Sequence, residues 1–169
     1  MFQAGVFQIV KANDIDLAEI QGIYNSNKVF LLNHTGASAG AADEVDNAWC
    51  LKDYCDMLNN GFTRCKIVEA EGNPAIGFLD FKIAEEAYLS LLILRKSRQG
   101  RGIGKEVYLG FEEYVRDLNC KRVRVDVVNN YEGSSLGFWL KNGFVLEKNV
   151  LLSWGEYRFP AKKMMKELI

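Results

Sequence analysis

Apolar residues along the chain recur with two different periods, and the changes of period mark out its elements. Phe7 to Lys11 alternates and predicts a short first strand; Asn13 then stands as a helix cap before Leu17, Ile20 and Tyr24, spaced as on one helical face. Val29 to Asp46 is small, polar and glycine-bearing and reads as a loop long enough to suggest a functional role. Leu51, Tyr54, Cys55 and Leu58 form a second helical stripe, ended by Gly61. Arg64 to Ala70 and Ile76 to Ile83 are strand-like and joined by the turn Glu71, Gly72, Asn73, Pro74, and Ala87 to Leu94 extends them into an antiparallel meander.

The period changes again after Leu94. Beyond a glycine-rich junction, Ile103, Val107, Phe111, Val115 and Leu118 mark one face of a long helix, and Arg122 to Val128 is a β-branched strand. Strand, helix and strand in this order imply a parallel crossover. A short helix from about Ser134 to Asn142 stops at Gly143, and Val145 to Leu152 with Tyr157 to Lys166 flank a turn at Trp154 and Gly155 as a closing hairpin. The fold class is mixed α/β, of the α+β kind. No repeat or composition break divides the 169 residues, a length within the roughly 100 to 200 of one domain.

Composition then removes whole classes of function. With 49% hydrophobic and 25% charged residues the chain is an ordinary packed protein, not a disordered one. Its 21 basic and 22 acidic residues nearly cancel, so no overall field gathers nucleic acid or an anionic membrane, and any anion site must be local. The longest apolar run, around Tyr88 to Leu94, is far short of the ~20 residues that span a bilayer, and the amino terminus lacks a basic segment followed by an apolar core. The chain therefore reads as cytoplasmic. Cys50, Cys55, Cys65 and Cys120 form no C-x-x-C pair and His34 is the one histidine, so the common zinc spacings are absent, no metal is expected, and the thiols read as buried and unreactive.

The informative segment follows Leu94, where Arg95, Lys96, Ser97, Arg98, Gln99, Gly100, Arg101, Gly102, Ile103, Gly104 and Lys105 lead into the long helix. Glycines at a strand-to-helix turn let backbone N–H groups approach an anion, and the helix start adds roughly half a unit of positive charge. Five cationic side chains surround it, so phosphate or pyrophosphate is the natural guest. A P-loop fails on spacing: five positions before Gly104 stands Gln99, and Glu106 occupies the hydroxyl position. A Rossmann fingerprint fails because Gly100, Gly102 and Gly104 run G-x-G-x-G in mid-chain after antiparallel strands.

What remains is Q-x-x-G-x-G, filled by Gln99, Gly102 and Gly104, and in it the sequence resembles the GNAT superfamily of N-acetyltransferases. Leu94 lies five residues before the glutamine; Lys141, Asn142, Gly143 and Phe144 supply the family's GF ending; Met164, Lys166 and Leu168 match its terminal M-x-K-x-L. The resemblance covers essentially the whole chain, residues 1–169, as one acetyltransferase domain. It implies a mostly antiparallel central sheet of about six to seven strands with helices on both faces, and a V-shaped splay between the strands ending near Leu94 and Val128. It also implies acetyl-coenzyme A as co-substrate. The pantetheine would run along Leu92, Ile93 and Leu94. The pyrophosphate would sit on the amides of Gln99, Gly100, Arg101, Gly102, Ile103 and Gly104, beside Lys105. An N–H near Ile93 or Leu94 would polarise the thioester carbonyl, and Asn130 would meet the pantetheine, although Glu132 stands where the family's N-x-x-[AS] pattern places asparagine before Ser135.

The implied activity is transfer of acetyl to a primary amine by direct attack in a ternary complex, with a non-catalytic coenzyme A binding module as the alternative. A lysine-like amine with a pKa of ~10.4 must lose a proton at a cost of roughly 4.6 kcal/mol at pH 7, so a base matters more than an acid. Both usual residues are replaced: Trp139 stands at the family's tyrosine acid and Tyr88 at its strand glutamate. Strand alternation puts Glu86, Tyr88 and Ser90 on one face. The base candidates are Glu86 acting through water or Tyr88 and Ser90 ordering one, with Asp80 and Asp126 as alternatives. The acceptor is a small-molecule or protein amine, bordered by His34 and by Asp43, Glu44 and Asp46, a cluster that reads equally well as a solvated face with Asp46 as cap. Trp154, Tyr157 and Phe159 read as core packing, with a roof over the acceptor or the contact of a homodimer as alternatives. No nucleic acid or membrane partner is expected.

Overall fold

The meander read from the sequence lies at the centre of one sheet. A computed structural model describes residues 1–34, 44–154 and 157–169. Among these, eight strands pair: β1 (Phe2–Ala4), β2 (Phe7–Lys11), β3 (Thr63–Val68), β4 (Gly77–Ile83), β5 (Ala87–Leu94), β6 (Arg122–Val128), β7 (Val145–Trp154) and β8 (Tyr157–Glu167). Their order is β1-β2-β3-β4-β5-β6-β8-β7, and every neighbouring pair is antiparallel except β5 and β6. The strand beyond the expected count is β1, whose three residues are too few to show a period.

Five α-helices accompany the sheet among the described residues: α1 (Leu17–Asn25), α2 (Lys28–His34), α3 (Asn47–Asn59), α4 (Ile103–Asp117) and α5 (Leu136–Lys141). Asn13 caps the turn leading into α1, and Asp16 Oδ2 accepts from the Asn13 backbone N–H at 3.0 Å. Asp46 caps α3, its Oδ1 accepting from Trp49 N at 2.8 Å. Two expectations need correction. The stretch from Val29, expected as loop, opens with α2, because Leu31 is buried in a core shared with Ile23, Phe78 and Ile93; packing holds a helix too short to stand on propensity. On α3 the expected apolar stripe faces outward, with Leu51 at 47% and Leu58 at 41% exposure, while Cys50 is buried instead.

Helices cover both faces. Val107, Phe111 and Val115 of α4 share one core with Leu79, Leu89 and Val123, and α1, α2 and α3 share a second with Phe78 and Ile93. No described helix is long and apolar enough to cross a membrane.

Two irregularities of β5 prepare an opening in the sheet. Against β4 its register jumps from Leu91 opposite Asp80 to Leu89 opposite Phe81, which leaves Ser90 as a bulge. Ala87 and Leu89 therefore face the α4 core, whereas beyond the bulge Leu91 and Ile93 face the other, so the alternation expected through Ser90 is broken. Against β6, β5 pairs only at Ala87↔Val123 and Tyr88↔Arg124, although both strands run on, to Leu94 and Val128. The upper end of β5 is fixed from the β4 side, where Gly77 lies so close that an added Cβ would come within 2.5 Å of Ile93 O and 2.7 Å of Leu94 Cδ2. Gly77→Ala is expected to cost about 1–3 kcal/mol in chemical denaturation, the usual penalty of overpacking.

Candidate active site

Past Tyr88 and Arg124 the separating strands open a cleft of about 1540 Å³. At its wide end the chain turns from β5 into α4. The backbone amide of Gln99 donates to Lys96 O at 3.3 Å, but those of Gly100, Arg101, Gly102, Ile103, Gly104 and Lys105 have no protein acceptor among the described residues. Gly100 (φ 74) and Gly102 (φ 82) hold the left-handed backbone that presents these donors, and a Cβ at either would meet nothing within 4 Å. The anion arc thus begins at Gly100 rather than at Gln99.

The Gln99 side chain turns inward instead, donating to Leu94 O at 3.0 Å and to Asn27 Oδ1 at 2.7 Å. Asn27 Nδ2 donates to the same carbonyl at 2.9 Å, and Lys96 N donates to Ser26 Oγ at 3.0 Å. The start of α2, the end of β5 and the glycine turn are thereby tied together. Of the five cations, Lys96 and Lys105 line the cleft, whereas Arg95 reaches beside Gly22 of α1, Arg98 pairs with Glu69 at 2.7 Å, and Arg101 is exposed and does not line the cleft. The Ile103 side chain belongs to the α4 core, so only its amide is on offer.

Strand geometry decides which β5 groups face the gap. Arg95 N donates to Ile76 O, on the β4 side, and Ile93 O lies near Gly77. By alternation, Leu92 and Leu94 turn their N–H groups toward the parted edge, and Ile93 does not.

Deeper in, Tyr88, Ser90, Asp80 and Asp126 all line the cleft. Both oxygens of Asp80 are held by Arg64, Oδ1 by Nε at 2.8 Å and Oδ2 by Nη2 at 2.7 Å. Burial raises the Asp80 carboxyl, and the Arg64 guanidinium opposes that rise. Asp126 is likewise gripped by Arg124, at 3.0 and 2.7 Å. Burial and the adjacent Asp126 carboxylate push the Tyr88 phenol well above its ordinary range, so it remains an O–H donor. Ser90 Oγ donates to Asp80 O at 3.2 Å.

Two expected residues, Glu86 and Asn130, do not line the cleft. Glu86 stands before the splay, between Arg122 at 3.4 Å and Arg124 at 3.6 Å, and does not line the cleft. Asn130 is exposed outside it. Trp139 lines it, but its Nε1 donates to Ser135 Oγ at 3.2 Å and its ring packs among Tyr108, Phe138 and Phe144.

Sequence reasoning missed the wall made by α3. Trp49, Asp53, Asp56, Met57 and Asn60 line the cleft from one helical face, a spacing visible in the chain but hidden beside the apolar stripe. Asp53 Oδ2 accepts from Arg64 Nη2 at 2.9 Å and from the Tyr24 hydroxyl at 3.1 Å, with the side chain 30% exposed. Lys52 pairs with Asp56. Of the acidic loop, Asp46 serves as cap, Glu44 lies 3.9 Å from Lys28, and Asp43 falls outside the described residues. His34 and Tyr131 line the cleft together. In the closing hairpin Tyr157 lines the cleft and is 41% exposed, so it is not core; Phe159 is half-buried, and Gly155 with the side chain of Trp154 lies outside the described part.

A diphosphate fits this site on its chemistry, because six adjacent backbone donors without partners, two lysines and a helix start converge at one end of a cleft. Among the described residues no group of three metal-ligating side chains occurs.

Comparison with solved structures agrees on the fold. An acetyltransferase from Thermus thermophilus aligns with a TM-score of 0.69 at 18% identity, covering 99% of this chain and 100% of that one. The PaiA N-acetyltransferase from Thermoplasma acidophilum, in complex with coenzyme A, aligns at 0.66 and 20% identity, covering 96% and 99%. A spermidine N-acetyltransferase from Vibrio cholerae, in complex with CoA and spermine, aligns at 0.67 and 18% identity, covering 95% of each. No curated protein matches the sequence significantly. The sequence profile of the acetyltransferase (GNAT) family, however, matches residues 28–144, from the first residue of α2 through the GF ending, and the chain belongs to that family.

Proposed function

We propose that this acetyltransferase moves the acetyl group of acetyl-coenzyme A to a primary amine, by direct attack in a ternary complex within one domain in the cytoplasm. The observation that carries this reading is the arc of unpartnered amides from Gly100 to Lys105 at the wide end of the parted strands. Nitrogen as the acceptor atom is supported by the names of the PaiA and spermidine N-acetyltransferases. Acetyl-coenzyme A supplies the activated thioester. The chain anchors it through the glycine turn, with charge-assisted bonds of about 1.5–3 kcal/mol each, and offers the Leu92 N–H, turned to the gap, as the donor to the reacting carbonyl.

Since Asp80 and Asp126 are held by arginines and Glu86 is off the cleft, we assign the amine's proton to a water ordered by Ser90 and Tyr88. Tyr88 acts there as a fixed O–H. The acceptor approaches along α3, where Asp53 attracts a cationic amine and Trp49 and Tyr157 offer aromatic surface.

An amine panel with acetyl-coenzyme A, read by release of free thiol, tests the activity; no release over small and peptide amines overturns it. Tyr88→Phe is expected to lower kcat at least about tenfold, toward the 10²-fold typical of proton-transfer catalysis, with KM for acetyl-coenzyme A unchanged. An unchanged kcat removes Tyr88 from the mechanism.

A further inference from the structure

The one histidine of the chain has a role that the family signature does not supply. His34 ends α2, and its Nε2 shares a hydrogen bond of 2.7 Å with the hydroxyl of Tyr131, three residues beyond the end of β6. The His34 ring also stacks on Phe30 with centroids 4.3 Å apart and meets Tyr131 edge-on at 5.4 Å. Burial lowers the imidazole to about 4, so it is neutral at pH 7, and in either tautomer Nε2 satisfies one bond with the phenol.

The path of α2 gives this contact its meaning. The helix leaves from the end of β5, where Asn27 holds Leu94 O and Gln99, and after seven residues it touches the loop following β6. Its two ends therefore stand on opposite walls of the V, and its body crosses the opening on the face of the sheet away from α4. On the opposite face Phe138, Trp139 and Ser135 close the gap from below. Among the described residues, the space between the unpaired edges of β5 and β6 is thus bordered by α2 on one face and α5 on the other, and the His34–Tyr131 contact joins α2 to the β6 wall.

We infer that His34 and Tyr131 are positioning residues that clasp α2 over the pantetheine arm of coenzyme A, holding it between the parted strands. The inference rests on the coenzyme site proposed above. No bond in the reaction is made or broken by either residue. Opening of the contact admits the arm, and closure slows its departure.

The test compares two ligands by calorimetry: coenzyme A, and adenosine 3′,5′-bisphosphate, which has phosphates for the glycine turn but no pantetheine. Tyr131→Phe and His34→Ala are expected to weaken coenzyme A about five- to tenfold, the size of one hydrogen bond and one aromatic contact. Stopped-flow should place the change in the dissociation rate. Affinity for the bisphosphate and KM for the amine should stay within about twofold of wild type. His34→Gln, which keeps a partner for the phenol, should recover most of the loss. Tyr131→Phe deletes a single oxygen, so the test survives if His34→Ala fails to fold. Unchanged coenzyme A dissociation in Tyr131→Phe overturns the clasp, and so does a defect confined to the amine KM, which would place the pair in the acceptor pocket. Wild-type protein that binds neither ligand overturns the coenzyme site itself, and the clasp with it.

Discussion

Gly102→Asp is expected to leave a folded protein that no longer binds acetyl-coenzyme A. Gly102 lies at φ 82 with open space where a Cβ would stand, so the substitution meets no neighbour. The backbone strain is about 1 kcal/mol, and aspartate tolerates this region better than most residues. The carboxylate, however, enters the arc formed by the amides of Gly100 to Lys105 and opposes the charge they and the α4 start attract. Losing several charge-assisted bonds and adding like-charge repulsion amounts to at least about 4 kcal/mol, or roughly a thousandfold in Kd. Calorimetry with coenzyme A reads the loss, and a melting curve near that of wild type shows that the fold persists. Affinity within tenfold of wild type would remove the glycine turn from the coenzyme site. Gly102→Ala, with backbone strain but no charge, should lie between the two.

The second large effect lies at the buried ion cluster between α3 and the meander. Arg64 is 1% exposed and holds Asp80, itself 5% exposed, with two hydrogen bonds, while reaching Asp53 and the Tyr24 hydroxyl. Its guanidinium lies 4.6 Å from the Phe78 ring centroid, and its Nη1 is buried without a hydrogen-bond partner. Arg64→Leu strands the Asp80 carboxylate in a dry setting, and the expected cost is about 3–5 kcal/mol in urea unfolding at pH 7. The sign of the pH dependence follows from burial. Burial already raises the Asp80 carboxyl, and without Arg64 to oppose it the folded-state pKa rises further, so the folded variant binds the extra proton more readily and its deficit shrinks as pH falls from 7 toward 5. Arg64→Leu combined with Asp80→Leu should recover much of the loss, because the carboxylate left without its arginine is then only that of Asp53, whose side chain is 30% exposed. A single variant as stable as wild type would show that water reaches the cluster.

How far the site could be read from the chain depends on how local each part is. The geometry of the glycine turn was legible because it is written in consecutive residues: glycines where φ is positive, cations around them, a helix directly after. The roles of Asp80 and Asp126 were not. Each is held by an arginine, Asp80 by Arg64 across the ladder from β3 and Asp126 by Arg124 two residues before it on β6; the cross-strand pair in particular depends on a register that the chain does not print. Strand alternation gave the right face for Tyr88 but failed at Ser90, since a bulge adds one residue without altering the apolar pattern. Helix α2 was hidden for a related reason: its buried Leu31 belongs to a core shared with Phe78 and Ile93 of the meander, residues distant in sequence. The α3 stripe misled because Leu51 and Leu58 are exposed, and the face that matters carries Asp53 and Trp49.

The ladder between β5 and β6 is only two residue pairs long, and that brevity makes the molecule resemble a book held open. One leaf is β1 to β5, the other β6, β8 and β7, and the binding between them is α4, whose Val107, Phe111 and Val115 share one core with apolar residues of both. Past Tyr88 and Arg124 the facing edges carry no rungs, so a slender guest lodged between the leaves would rupture none.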